Sequence, residues 1–171
     1  FCDVTKELLR MSGTSPGDIR AVGCTAMYPV VVPVDRNGRP LRKGILYGID
    51  TRAGAEIEWM EETLGRDYSV AKTGNALFSQ SIGPKILWIK NNEPEVFAKA
   101  DRFLFATSYV VNRLTGNSVV DHGQASLGGL PYDIHTCRWD EEVCSLIGIA
   151  SQQLPQLKWG SEIAGTVSDE A

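Results

Sequence analysis

The composition of this 171-residue chain excludes several kinds of protein before any motif is considered. Hydrophobic residues make up 43% of the chain, charged residues make up 22%, and the formal net charge is −4. Such values are typical of one soluble globular domain that can bury a core. The acidic balance disfavours nucleic acid as a partner, because binding phosphates requires clustered Lys and Arg side chains.

The sequence predicts neither a membrane anchor nor a metal site. No apolar run approaches the roughly 20 residues that cross a bilayer, and the chain does not start with a signal-peptide pattern. The four cysteines form no C-x-x-C pair, which disfavours zinc and favours free thiols in a cytoplasmic protein. His122 and His135 each lack a nearby metal-ligating partner in the sequence, so we expect surface or capping roles for both.

The first fifty residues predict one helix followed by short strands. Apolar side chains recur at helical spacing over residues 1–11, and Gly13 is a typical helix end. Residues 19–25 form an apolar run after a Pro-Gly turn and predict a buried strand. Residues 30–35 and 45–47 predict two further strands.

The hydrophobic period then changes to that of helices. Apolar residues over 53–64 lie at i, i+4, i+7 and i+11, which is one face of a helix. Asp50 or Thr51 is the expected N-cap of this helix, and Gly65 is its expected end. Pro84 predicts the first position of another helix, where a missing N–H costs nothing.

The rest of the chain alternates helices and short strands. Predicted strands cover residues 102–105, 119–120 and 160–167. Predicted helices lie near 97–100 and 124–129, run from a cap at Thr107 or Ser108 to Gly116, and run from a cap at Asp140 through 147. This mixture predicts an α/β or α+β layered domain, with a mixed sheet flanked by helices.

Several short motifs occur in one order along the chain. A predicted strand end at residues 25–29 precedes an Asp-x-x-Gly-x-Pro turn at 35–40 and an aromatic-x-x-Asp-x-Arg element at 47–52. A Pro-Lys-Ile-Leu-Trp helix at 84–88 follows, and an Arg-Leu-Thr-Gly element occupies 113–116.

The same order of motifs is found in the amino-terminal domain of FGGY-family carbohydrate kinases, which this chain resembles over nearly its whole length. The family has a substrate motif of the Gln-Met-His or Ala-Met-His type where this chain has Ala26-Met27-Tyr28. Each match alone is weak, and the ordered set carries the resemblance. Tyr28 departs from the family, since many members have histidine there.

The resemblance implies a ribonuclease H-like, actin-like ATPase fold, of which residues 1–171 would be an incomplete sugar-binding domain. Family members bind ATP and Mg²⁺ in a cleft between two domains. Their Asp-x-Gly-Thr phosphate-binding hairpin would precede residue 1, and their catalytic aspartate would follow residue 171. We therefore expect no catalytic residue and no bound cofactor in this piece, and no phosphoryl transfer by it alone.

The resemblance also indicates candidate sugar-binding residues. Met27 and Tyr28 lie at a predicted strand end, a usual ligand position in α/β sheets, although packing roles are an equal alternative for both. Asp50 and Arg52 could contact the sugar, or could form a helix cap and a local ion pair. Gln80 lies where relatives place a polar or aromatic residue over the substrate.

Three functions fit the sequence. The first is part of an ATP-dependent kinase that phosphorylates a hydroxyl of a pentulose or sugar acid, with a xylulose-like sugar favoured. The second is a non-catalytic sugar-binding or regulatory module on the same scaffold, and the third is an unrelated α/β structural domain. The expected partner is a small sugar, and self-association into a homo-oligomer is left open.

Overall fold

Helices dominate the part of the chain that the computed structural model describes, residues 2–46 and 48–169. Short 3₁₀ turns at Pro16–Asp18 and Ser151–Gln153 supplement them. The α-helices are α1 (Cys2–Ser12), α2 (Gly54–Leu64), α3 (Arg66–Thr73), α4 (Ile82–Asn92), α5 (Pro94–Lys99), α6 (Ala106–Thr115), α7 (His122–Leu127) and α8 (Glu141–Ile147). The strands are β1 (Val32–Val34), β2 (Arg102–Leu104), β3 (Val119–Asp121), β4 (Tyr132–Asp133), β5 (Arg138–Trp139) and β6 (Gln156–Lys158).

The strands pair in both directions. β1 pairs with β2 in antiparallel register, with Val32 opposite Leu104. β3 and β6 are parallel, with Val119 opposite Gln156, and β4 and β5 form an antiparallel hairpin. Each described sheet has two strands, so helices provide most of the packing surface.

The centre of the core is α4, which packs against α2, α5 and α8. Most of its side chains from Ile82 to Ile89 are buried, because this segment is apolar nearly all round, as a buried helix must be. Its N-terminal turn lies against the chain at Leu130: the N–H of Gly83 donates to the Leu130 carbonyl at 3.0 Å. A Cβ on Gly83 would lie 2.8 Å from that oxygen, so only glycine allows this approach.

Helix ends were predicted more reliably than helix starts. Helices end next to Gly13, Gly65 and Gly116 as expected, and all three glycines have positive φ. The Asp140 cap is confirmed, since its carboxylate accepts from the N–H groups of Glu142 and Val143.

Three predictions of helix starts were wrong. The α2 helix begins after Ala53 without a side-chain cap, because the Asp50 carboxylate bonds Arg52 instead. The α6 helix begins one residue before Thr107, after Phe105. Pro84 is the third residue of α4 rather than the first, a position that still needs no intrahelical N–H bond.

The predicted strands at 19–25 and 160–167 were wrong, and that at 45–47 was largely wrong. Residues 19–25 are extended but unpaired and mostly exposed, and no strand forms over 160–167. Ile45 makes a single bridge to Val31, while Tyr47 and Phe1 lie outside the described residues. An apolar run becomes a strand only when a partner strand satisfies its backbone groups, and none of the described strands pairs with residues 19–25.

A partly buried ionic cluster that the sequence did not predict joins α3 to the β4–β5 hairpin and α8. The Lys72 ammonium lies 2.9 Å from the Asp133 carboxylate and 3.0 Å from that of Asp140, and the Tyr68 hydroxyl donates to Asp140 at 3.2 Å. The hydrogen bond from Lys72 lowers the pKa of Asp133 despite burial. Burial opposes ionisation of Asp140, but hydrogen bonds from Lys72 and the Val143 N–H lower its pKa overall.

We predict that Lys72→Met destabilises the fold, because two buried carboxylates lose their cation. The expected loss is about 2 kcal/mol in the free energy of unfolding, between the values of surface and buried pairs. Both aspartate pKa values are depressed, so the stabilisation should be present above pH 3.8 and be lost as the pH falls through the lower folded values. Urea unfolding of the wild type and the variant between about pH 3 and pH 7 measures this. An unfolding free energy unchanged by Lys72→Met would contradict the prediction.

A cleft of about 410 Å³ separates the unpaired segment 20–24 from β3 and the chain after β6. On α1, the side chains of Val4, Leu8 and Met11 are 59–70% exposed. Apolar surface of this extent favours association.

We therefore predict that the isolated chain self-associates. The expected result in sedimentation velocity is a concentration-dependent increase in mass, reversed by Leu8→Lys and Val22→Lys in combination. A matched control, Val70→Lys, adds one charge at an exposed apolar position on α3 that does not line this cleft. A monodisperse wild-type monomer with cooperative unfolding would show that this surface does not drive association.

Candidate functional site

An ion pair built from two predicted site residues lines an open cleft. The Arg52 guanidinium Nε lies 2.8 Å from one Asp50 carboxylate oxygen and 3.0 Å from the other. The cleft has a volume of about 510 Å³, and Asp50, Arg52 and Trp88 are among its lining residues. The ion pair that was one alternative at the sequence level is present, and the capping alternative is not.

Trp88 supports this pair from the core side. The Arg52 guanidinium lies 4.7 Å from the centre of the Trp88 ring, and Arg42 lies 5.8 Å from the same ring. Arg42 in turn pairs with Glu93 at 2.6 Å. Contacts of a guanidinium with an indole face are attractive, so α4 fixes Arg52 and, through it, Asp50.

The Asp50 carboxylate is held in its charged form. Burial raises the pKa of this carboxyl, but hydrogen bonds from Arg52 and the nearby Lys85 charge outweigh burial, so the net shift is downward. At neutral pH the group therefore accepts hydrogen bonds only. An ionised acceptor in an open cleft suits ligand hydroxyl groups.

Sequence reasoning missed Lys85 of α4, whose charge acts on the Asp50 carboxylate. Its side chain is 1% exposed, and its ammonium has no hydrogen-bond partner among the described residues. Burial lowers the pKa of Lys85 to about 8, partly opposed by the negative charge of Asp50. The available signal was the motif itself, in which one lysine interrupts the otherwise apolar run 82–89.

Gln80 lies beside the loop that carries the ion pair. A Cβ added at Gly48 would be 3.9 Å from the Gln80 amide nitrogen, and Gly48 has a positive φ of 74°. Gln80 is half-buried two residues before α4. The structure therefore brings Gln80 to the segment that leads to Asp50 and Arg52.

Tyr28 lies at the start of α4, and its hydroxyl points into the protein. The ring packs edge-on against Phe105, with centroids 5.3 Å apart. The buried hydroxyl, next to Gly128 and Ile82, has no partner among the described residues. Burial, and secondarily the charge of Asp121, raises its pKa. Met27, by contrast, is 53% exposed.

Both histidines contact other groups within the fold. The His122 ring lies 2.9 Å from the Tyr132 hydroxyl and packs on Trp159, with centroids 4.4 Å apart. The Nε2 atom of His135 lies 2.7 Å from the Ala71 carbonyl.

No three His, Cys, Asp or Glu side chains converge on a metal position within residues 2–46 and 48–169. In the same residues, no helix has the length and apolar character needed to cross a bilayer.

Comparison with known proteins gives the class of this domain, a carbohydrate kinase domain, and its family. Residues 1–171 match the family model described as the FGGY family of carbohydrate kinases, N-terminal domain. The chain is 33% identical over 175 residues to a glycerol kinase of Thermococcus onnurineus, covering 96% of this chain and 34% of that protein. It is 30% identical over 161 residues to the xylulose kinase of Bacillus subtilis, and the match covers 94% of this chain and 32% of that protein.

Solved structures agree with this assignment. A xyloylose kinase from Brucella ovis superposes with a TM-score of 0.88 at 28% identity, over 96% of this chain and 34% of that one. The xylulose kinase of Rhodospirillum rubrum gives a TM-score of 0.83 at 28% identity, over 93% of this chain and 33% of that one. The chain therefore belongs to the FGGY family of carbohydrate kinases and has the actin-like fold that its motifs predicted. It spans about a third of the length of these relatives.

We predict that Tyr28→Phe does not destabilise the fold, because it removes a buried hydroxyl that has no partner. The expected change in the free energy of unfolding is between zero and a gain of about 1 kcal/mol. Tyr132→Phe is the matched control: its hydroxyl contacts His122, so its removal should cost about 1 kcal/mol. Parallel urea titrations measure both values. A larger loss for Tyr28→Phe than for Tyr132→Phe would contradict the buried, unpaired position of the Tyr28 hydroxyl.

Proposed function

We propose that the protein containing this chain is an ATP-dependent kinase that phosphorylates a hydroxyl group of a small polyhydroxylated substrate. Within it, residues 1–171 form part of the amino-terminal, sugar-binding domain. The observation that carries the proposal is the ionised Asp50 carboxylate, held by Arg52 in an open cleft on a domain of this family. Relatives that act on xylulose and on glycerol match it similarly well.

Asp50, Arg52 and Gln80 have the chemistry to bind a polyol. The carboxylate accepts from substrate hydroxyls, while the guanidinium and the amide donate to hydroxyl or carbonyl oxygens. Fixed partners of this kind discriminate between sugars, because a substrate that leaves a buried group unpaired loses roughly 1–3 kcal/mol of binding free energy. We also propose Met27 and Tyr28 as sugar-site residues; neither lines the cleft of Asp50 and Arg52, and the Tyr28 hydroxyl lies near Gly128 and Ile82.

ATP and Mg²⁺ supply the transferred phosphoryl group and neutralise its developing charge. The described residues offer no cluster of ligands for the metal. The role of the chain is to orient one substrate hydroxyl, since positioning provides much of the catalysis in phosphoryl transfer. We accordingly propose that residues 1–171 alone do not turn over ATP.

Among substrates we favour a pentulose such as xylulose, or a sugar acid. The fold comparison includes a gluconate kinase of Lactobacillus acidophilus, with a TM-score of 0.85 at 22% identity, which supports the fold alone. The discriminating experiment is phosphorylation of xylulose, gluconate and glycerol by the full-length protein. Sugar binding without turnover of any substrate would instead favour the non-catalytic sugar-binding module. The buried Tyr28 hydroxyl, at a position where many relatives have histidine, motivates that second candidate.

We predict that Asp50→Asn lowers kcat/KM for the preferred sugar by about 10- to 100-fold, mainly through KM. The loss corresponds to one hydrogen bond to a charged group, about 1.5–3 kcal/mol. Steady-state kinetics on the full-length protein measures the effect. The control is Asp101→Asn, because Asp101 pairs with Arg102 at the surface away from the cleft. Equal kinetics for the two variants would remove Asp50 from the sugar site.

A further inference from the structure

The Lys85 ammonium is a charge that the fold buries without giving it a partner. It is 1% exposed and forms no hydrogen bond among the described residues. Burial of an unpaired ammonium costs several kcal/mol, and an apolar side chain of similar size would fill the same space at lower cost. A stability role therefore does not explain a lysine at this position.

The geometry of α4 places Lys85 on the same helix face as Trp88, which lines the cleft. Residues three apart on a helix share a face, so Lys85 lies between Ile82 and Trp88. Ile82 lies next to the Tyr28 hydroxyl at Gly128, while Trp88 lines the cleft and carries Arg52 on its ring. Lys85 is thus between the two groups of candidate sugar-binding residues.

We propose that Lys85 is a positioning residue for the acceptor site, where its buried ammonium holds the Asp50 carboxylate charged and oriented toward the substrate. This inference rests on the proposed function. Arg52 binds the carboxylate from the solvent side and Lys85 supports it from the core side. When Lys85 loses its proton, Asp50 retains one cation instead of two, and the site should bind sugar less tightly.

The other groups packed around α4 do not replace Lys85. Glu56 of α2 accepts from Asn91 at 3.1 Å, nearly two turns further along α4. Lys90 donates to the Ile147 carbonyl of α8 at 3.0 Å. Asp50 is the charged group whose field acts on Lys85. Lys90 is therefore a matched control: it is a cation on the same helix, but its ammonium has a hydrogen-bond partner in the fold.

The test is the pH dependence of kcat/KM in the full-length protein with its preferred sugar, for wild type, Lys85→Arg, Lys85→Met and Lys90→Met. In the wild type kcat/KM should fall above about pH 8. Lys85→Arg should abolish this decrease of kcat/KM at high pH, because a guanidinium remains charged. Lys85→Met should not show this decrease above about pH 8. At pH 7 its kcat/KM should be about tenfold below that of the wild type, through a higher KM. Its Tm should be higher than that of the wild type. Lys90→Met should keep the decrease and lower Tm.

Two results would overturn the proposal. One is a decrease of kcat/KM above about pH 8 that persists in Lys85→Arg, and the other is a kcat/KM for folded Lys85→Met equal to that of the wild type. If Lys85→Met does not fold, the wild type and Lys85→Arg still decide between the outcomes.

A second measurement is independent of turnover. In the full-length protein with ¹³C-methylated lysines, the Lys85 resonance should titrate near pH 8, and Asp50→Asn should lower its pKa, because the carboxylate raises it. An unchanged Lys85 pKa in Asp50→Asn would overturn the coupling. If no sugar is phosphorylated while Asp50→Asn lowers the Lys85 pKa, the kinase assignment fails and the coupling stands.

Discussion

Burial of α4 is the constraint on which the rest of this structure depends. The helix contacts α2, α5 and α8, and its first turn hydrogen-bonds to the chain at Gly128 and Leu130. A helix that is apolar nearly all round must be covered by other elements. The same helix carries Lys85 and Trp88, so the packing that stabilises the core also fixes the back of the candidate sugar site.

Two groups of charges show how differently a fold can use buried ions. Lys72 is neutralised by Asp133 and Asp140 and ties three elements together. Lys85 has only the field of Asp50 and no hydrogen bond among the described residues. The first arrangement is satisfied within the chain and suits a structural role. The second retains unused hydrogen-bonding capacity and acts on a carboxylate that lines a cleft, and a perturbed group of this kind is typical of functional sites.

Residues with strong local preferences were predicted well from the sequence. Glycines with positive φ end α2 and α6 because few other residues adopt that conformation. Asp140 caps α8 because its carboxylate can reach two free N–H groups of its own helix. Asp50 has the same capping chemistry, but the Nε–H of Arg52 competes for its carboxylate, and a hydrogen bond between two charged groups is stronger.

The sequence by itself determined the helix periods, the glycine ends and the ordered motifs that define the family, because these depend on neighbouring residues. Tertiary structure alone decided that residues 19–25 are unpaired, that Lys72 lies between two aspartates distant in sequence, and that Lys85 is buried where the charge of Asp50 acts on it. Strand pairing and ion pairing require groups from remote parts of the chain to meet. Local sequence patterns do not specify which remote groups come into contact.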